Sequence, residues 1–431
     1  MPRQRAASSV IWHVVIIILA GELIFALPFH LARFFRPTFL QAFDLSNAQL
    51  GDIFAVYGVV AMLCYFPGGI IADKVAPNRL MSMSLLATAL GGAYMWTGPA
   101  VTGLALLFGY WGCTTILLFW AAMIKATRIA APAARQGLAF GVLDGGRGLV
   151  ASVFASGAVL LLGRYTIMAD GNFASATEAL ASLRSLIIYY SVLTVITAGL
   201  AWFFISSIRA QPEAGQQVPT SAMLGETLTN PLLWLQAGVV ICAYCGYKSL
   251  DNYGLFVVKT FNWSQLEAAQ FTTAASYLRP VVAVAAGLLA DRIRASRLTL
   301  GLFSALALSF ASIAALTELY PAVMLLTMML VLTFVGVFAL RAVYFALIDE
   351  SRMRLGATGT AVGVISLLGF TPDVFFAPLT GRMLDNPDNG FAGYFLLMAL
   401  IMLLGTLCAW LLVNKMSQKQ ALAPAKPSCR S

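Results

Sequence analysis

Charge-poor apolar runs of about twenty residues recur from one end of this chain to the other, and each is long enough to cross a bilayer as a helix. No other feature constrains the fold as tightly. In lipid a backbone must satisfy its own hydrogen bonds, so runs of this kind can only be helices packed together. Of 431 residues, 60% are hydrophobic and 10% charged. Soluble domains carry about a quarter charged residues, which excludes a soluble enzyme, a disordered chain and a coiled coil. An outer-membrane barrel would show segments of about ten residues with alternating polarity, and the chain has no such pattern. The expectation is an all-α, polytopic membrane protein.

Twelve spans are predicted, at 11–34, 48–72, 79–98, 103–126, 137–162, 185–207, 231–257, 265–290, 297–317, 321–347, 357–382 and 391–414. Glu22 interrupts the first, and no small-residue cleavage pattern follows it, so it reads as a span and not as a signal peptide. With the N-terminus inside, seventeen Lys and Arg residues fall on the inner side and six, Arg33 and Arg36 among them, on the outer side. Positive charge marks the cytoplasmic face, so both termini are expected there, in a cell membrane that suits a bacterial inner membrane. The net charge of +9 then belongs to cytoplasmic loops and calls for no nucleic acid. Residues 208–228, with Pro212, Gly215, Gln216, Gln217 and Pro219, read as a cytoplasmic linker. It divides a six-helix bundle at 1–207 from a second at 229–415, and leaves a polar tail at 416–431 expected to lack structure. The longest outer loop is placed at 163–184. Six cysteines show no disulfide or metal spacing, and Cys242 and Cys245 read as packing residues within a span.

Two loops carry one signature. Gly69-Ile70-Ile71-Ala72-Asp73-Lys74 leads to Arg79, and Gly287-Leu288-Leu289-Ala290-Asp291-Arg292 leads to Arg297. The offset is 218 residues, about half the chain, and each loop follows the second span of its half. The glycines would let helices approach closely. The aspartates could sit at a neighbouring helix N-terminus, and the arginines could bond a carboxylate or an anionic headgroup.

With these motifs the chain resembles the major facilitator superfamily. That resemblance implies two pseudo-symmetric six-helix bundles rocking about a central site, with Gly69, Asp73, Lys74, Arg79, Gly287, Asp291, Arg292 and Arg297 gating one conformation. Three further stretches are similar to the organophosphate:phosphate antiporters, which include the glycerol-3-phosphate transporter: Asp73-Lys74-Val75-Ala76-Pro77-Asn78-Arg79, Asn230-Pro231-Leu232-Leu233-Trp234, and the pair Gly359 and Gly363. That family holds phosphate with one arginine on span 1 and one on span 7. This sequence departs there, offering His30 with Arg33 one turn outward, and Tyr247 or Lys248.

Ionisable residues inside spans are costly and mark function. They are Glu22, His30, Asp144, Arg147, Lys248, Asp251, Arg279, Arg341 and Asp373. At 1.5 Å rise per residue, Glu22, Arg147 and Arg279 fall nearest the midplane, with Asp144 one turn inward. Arg147, Arg279, His30, Lys248 and Tyr247 are candidate substrate ligands, and Glu22, Asp144 and Asp251 candidate proton carriers. Asp144 and Arg147 can pair at i, i+3, as can Lys248 and Asp251. Arg341 is placed near the inner gate or interface, where long side chains snorkel. Asp373, after Pro372, is placed as a cap on a resumed helix.

Four cations against four carboxylates suit a monoanion or a zwitterion better than a dianion. No phosphate-binding loop, zinc motif or nucleophile constellation is present in the sequence, so no enzyme, cofactor or metal is expected. The reading is a monomeric secondary transporter for a small organic anion or polar metabolite, coupled to protons or to a counter-transported anion. The alternative is a transporter-like sensor for a signalling partner, which a kinase encoded nearby would favour.

Overall fold

The structure is a computed structural model describing residues 2–130, 136–166, 170–205, 229–319, 322–344, 346–350, 358–386 and 390–421. The expected linker at 208–228 lies outside the described residues. Among the described residues twelve helical spans follow one another, numbered here α1 to α12. In the first half α1 (Pro2–Leu23) continues through Ala26–His30 and Leu31–Phe34. It is followed by α2 (Asn47–Lys74), α3 (Pro77–Trp96), α4 (Val101–Ala130), α5 (Gln136–Thr166) and α6 (Ala176–Phe204). In the second half α7 (Pro231–Ser249) continues through Leu250–Asn252 into Tyr253–Phe261. Then come α8 (Gln265–Ile293), α9 (Ala295–Leu319), α10 (Val323–Val343), α11 (Thr358–Gly369 and Pro372–Leu384) and α12 (Gly390–Ala421).

Local chemistry sets the starts. Capping boxes open α2 at Ser46 and Gln49 and α8 at Ser264 and Glu267. Asn230 accepts from the Leu232 amide ahead of α7, with Pro231 at its first position. Ser175 caps α6, which begins at Ala176 and not at 185, because Ala179, Ser182 and Leu183 are already buried. The outer loop expected at 163–184 is correspondingly shorter. The tail expected from 416 is still helical to Ala421. The span α3 turns hydroxyls inward: Ser82 donates to the Ala198 carbonyl at 2.8 Å and Ser84 to that of Thr114 at 2.6 Å.

The halves meet through α2 against α11, α5 against α8, and the later part of α1 against α7 and α8. Where α2 crosses α11 the backbones touch. A Cβ on Gly58 would lie 2.5 Å from the Asp373 carbonyl oxygen, and one on Gly51 would strike that of Ala377. At this end Asp385 accepts from the amides of Asn47 at 3.0 Å and Ala48 at 2.7 Å, the first two residues of α2. Arg382 grips Asp52 through two nitrogens, at 2.8 and 3.1 Å.

At the other end the described loop residues make no such latch. Asp73, Lys74, Arg79, Asp291, Arg292 and Arg297 are exposed. Among the described residues no neighbouring helix comes within 4 Å of a Cβ on Gly69 or Gly287, so the close approach expected of these glycines is not made in this conformation. Asp73 is not a cap either; the carbonyl at the end of α2 is held by Lys125, whose Nζ donates to Ala72 at 2.6 Å.

Candidate functional site

The site begins at a break in α1. After Leu23 the helix bends by 43° and passes through a π-helical turn, Ala26–His30, containing Pro28. The proline removes a backbone donor, and the wider turn shifts the side-chain register. His30 is thereby carried back onto Glu22, eight residues earlier, with Nε2 and Oε1 3.1 Å apart. The other oxygen of Glu22 accepts from Nε of Arg147 on α5 at 3.0 Å. The Arg147 guanidinium lies 5.5 Å from the Phe25 ring centre and 6.0 Å from that of Trp120. Glu22, His30 and Arg147 are all buried, at 4%, 2% and 8% exposure.

The i, i+3 pairing expected of Asp144 and Arg147 is not what forms. Arg147 turns to α1, whereas Asp144 reaches across to the other half and accepts from Nη2 of Arg279 at 2.7 Å. Gly148 makes the crossing possible, since a Cβ there would stand 2.8 Å from Cδ of Arg279. Nε of Arg341 lies 3.8 Å from the same Asp144 oxygen. Arg341 therefore belongs to the site, not to the inner interface where snorkelling would have put it.

Tyr247 is the hub of this layer. The guanidiniums of Arg341, Arg33 and Arg279 lie 4.1, 4.6 and 6.0 Å from its ring centre. Its hydroxyl accepts from Nη1 of Arg33 at 2.6 Å. Arg33 also binds Asp251 directly, which places it in the site although the sequence reading counted it on the outer side, at the end of the first span. The expected Lys248–Asp251 pair is long, at 3.9 Å, and Lys248 sits closer to Asp373, at 3.1 Å. Asp373 also takes the Tyr244 hydroxyl at 3.0 Å and caps no helix with its side chain. Below Lys248 lie the rings of Phe29 and Phe54, at 4.8 and 5.4 Å.

The structure thus brings Glu22, His30, Asp144, Arg147, Tyr247, Lys248, Asp251 and Arg279 together between the halves and adds Arg33, Arg341, Asp373 and Tyr244. The loop residues Gly69, Asp73, Lys74, Arg79, Gly287, Asp291, Arg292 and Arg297 lie apart from it. Two signals pointed to the additions. Arg341 is the sole charge inside its span, and Arg33 stands one repeat offset before Asp251.

Twelve spans in two halves around a shared polar centre define a transport protein and not an enzyme. The model of the Major Facilitator Superfamily matches residues 18–377, and the chain belongs to that family. It is 28% identical over 417 residues to inner membrane protein YihN of Escherichia coli (strain K12), covering 93% of this chain and 95% of that one. Inner membrane protein YqcE of the same organism is 26% identical over 349 residues, covering 79% and 80%. A solved bacterial homolog of the human lysosomal transporter Spinster, inward-facing and unoccupied, superposes with a TM-score of 0.72. It is 13% identical and covers 97% of this chain and 99% of its own, a likeness of fold.

Proposed function

We propose that this transporter is a secondary carrier that moves a small organic anion or polar metabolite by alternating access. Sugar acids, organic acids and sugar phosphates are the candidate classes, and protons or a counter-transported anion the coupled species. One observation carries the reading. Arg33, Arg147, Lys248, Arg279 and Arg341 converge on Glu22, Asp144, Asp251 and Asp373 at the interface of the halves, one cation in excess. Groups this costly to hold inside a membrane are retained for a charged cargo or a proton.

In this reading Arg147, Arg279, His30, Lys248 and Tyr247 contact the substrate. Glu22, Asp144 and Asp251 exchange protons, each already bonded to a cation that could release it. The exposed loops at Asp73 and Asp291 face the cytoplasm by the positive-inside rule, as do both termini. The conformation described, latched at Asp385, is then the inward-open one. Gly69, Asp73, Lys74, Arg79, Gly287, Asp291, Arg292 and Arg297 would close the inner end in the opposite state. The carrier works as a monomer.

The test begins with thermal unfolding of the purified protein against sugar acids, organic acids, sugar phosphates and neutral sugars. A ligand at 100 times its Kd stabilises by about 2.7 kcal/mol. Uptake of a stabilising anion into proteoliposomes should respond to an imposed pH gradient or a counter-anion. Arg147→Ala and Arg279→Ala should abolish the stabilisation. Stabilisation by neutral or cationic compounds alone, untouched by those changes, would recast the arginines as structural.

A further inference from the structure

The charges between the halves fall into two groups, and only one is matched. Around α7 and α11, Arg33 and Lys248 face Asp251 and Asp373, two against two. Nearer the latched end, Arg36 donates to Asn47, which itself donates to Asp385, so that cation too has its carboxylate. Around α5, among the described residues, Arg147, Arg279 and Arg341 face only Glu22 and Asp144. With His30 counted as neutral, this group holds one uncompensated positive charge.

The unmatched cation can be named. Arg147 has Glu22, and Arg279 has Asp144 at 2.7 Å. Arg341 has only the oxygen of Asp144 that Arg279 already holds, at 3.8 Å, beyond hydrogen-bond reach. Its Nε and Nη1, together with Nε of Arg279, are buried donors without a hydrogen-bond partner. Three such atoms on two guanidiniums beside one tyrosine ring indicate a missing acceptor. Arg279 is 6% exposed and lines a pocket together with Arg33, Tyr247, Thr272 and Ser276.

We propose that Arg341 and Arg279 form the carboxylate subsite of this carrier, and that its cargo is a monocarboxylate. The inference rests on the anion-carrier reading above and narrows it. A guanidinium is a planar fork that matches a carboxylate through two parallel bonds. One singly charged acid group brings the cluster to neutrality and gives the unspent N–H groups their acceptor. A phosphate dianion or a dicarboxylate would leave surplus negative charge in a low-dielectric site, which is costly. Sugar phosphates are thereby removed from the candidate classes.

The test measures thermal unfolding of the full-length protein with gluconate, lactate, formate, glucarate, glucose 6-phosphate and glucose, at ionic strength fixed with chloride. Monocarboxylates, formate included, should raise the midpoint. Arg341→Gln should abolish that rise, yet unfold no lower than the wild type without ligand, because it removes a surplus charge. Arg341→Lys keeps the charge and loses the fork, and should weaken binding about tenfold or more. Greater stabilisation by glucarate or glucose 6-phosphate overturns the monocarboxylate assignment. Carboxylate stabilisation that survives Arg341→Gln overturns the subsite, as does the absence of a shift with every carboxylate. Stabilisation by glucose alone, insensitive to Arg147→Ala, sinks the anion-carrier reading itself, so the two failures can be told apart.

Discussion

Arg33 and Asp251 stand 218 residues apart and bond to one another across the interface of the halves. The same offset separates the two signature loops at Gly69 and Gly287. These are therefore equivalent positions of an internal repeat, on α1 and α7, carrying opposite charges. The offset also relates Phe29 to Tyr247 and His30 to Lys248, and all four face the same centre. Two copies of one helix facing each other across a pseudo-two-fold would set like against like. Opposite charge at one equivalent pair turns that clash into a bridge.

Neutralising one member of this bridge should therefore cost more than neutralising both. Removing one partner of a buried pair costs about 3–5 kcal/mol because the other charge is stranded. The low end applies here, since the Arg33 side chain is 18% exposed. Asp251→Asn is expected to lower the unfolding midpoint in detergent. The exchanged pair Arg33→Asp with Asp251→Arg, and the neutral pair Arg33→Gln with Asp251→Asn, should each recover most of the loss. Doubles as unstable as the single would show that Arg33 matters through Tyr247 and not through charge.

The latch at Asp385 should weaken in acid. Burial alone would raise this carboxyl, but the Ala48 amide and the Asn47 side chain and amide outweigh it and hold it below the ordinary carboxylate value. A group depressed in the latched state favours that state above its free pKa, about 3.9. The preference fades as pH falls through the depressed value. Ala377, whose carbonyl lies against Gly51, reports on the contact. With the native cysteines replaced, a cysteine at 377 should react slowly with an impermeant maleimide. Asp385→Asn should raise that rate several-fold, and labelling unchanged by it would mean that Asp385 only caps a helix.

Much of this architecture was legible because membrane helices announce themselves by apolar length, and because a repeated loop at a fixed offset is hard to produce by chance. The start of α6 was missed because Ala176 to Arg184 is too polar to read as a span, although Ser175 and Glu178 form a cap visible in the sequence. The candidate site was legible residue by residue and not as pairs. Sequence spacing favoured Asp144 with Arg147. The observed partners come from two other helices, α1 and α8, and the second depends on the close approach that Gly148 allows. Glu22 and His30 looked two turns apart, and only the π-helical turn at Ala26–His30 joins them.

Backbone contact at Gly58 should make the latched conformation intolerant of side chains there. A Cβ would meet the carbonyl of Asp373 at 2.5 Å, and neither backbone can yield without parting α2 from α11. Gly58→Val is expected to fold, because each half keeps its own packing, but to populate the state open at the Asp385 end. Distances between spin labels at positions 49 and 386 would lengthen relative to the wild type, and transport would stop. An unchanged distance distribution would place the flexibility elsewhere.

Asp144 already holds the Arg279 guanidinium that the cargo is proposed to share, so it should compete with it. One of its oxygens lies 2.7 Å from Arg279 and 3.8 Å from Arg341. Asparagine keeps the shape and removes the charge, so a substrate carboxylate would no longer share Arg279 with an internal one. A charge-assisted hydrogen bond contributes about 1.5–3 kcal/mol. Partial relief of that competition should tighten Kd about tenfold, equivalent to about 1.4 kcal/mol. Turnover should move the other way. In the proposed cycle the empty carrier would use the Asp144–Arg279 bridge to draw α5 and α8 together, and without it the unloaded protein would reorient poorly. Asp144→Asn is thus expected to bind a monocarboxylate more tightly in calorimetry and to transport it more slowly in proteoliposomes. Weaker binding would show instead that Asp144 orients Arg279 for the substrate and does not stand in its place.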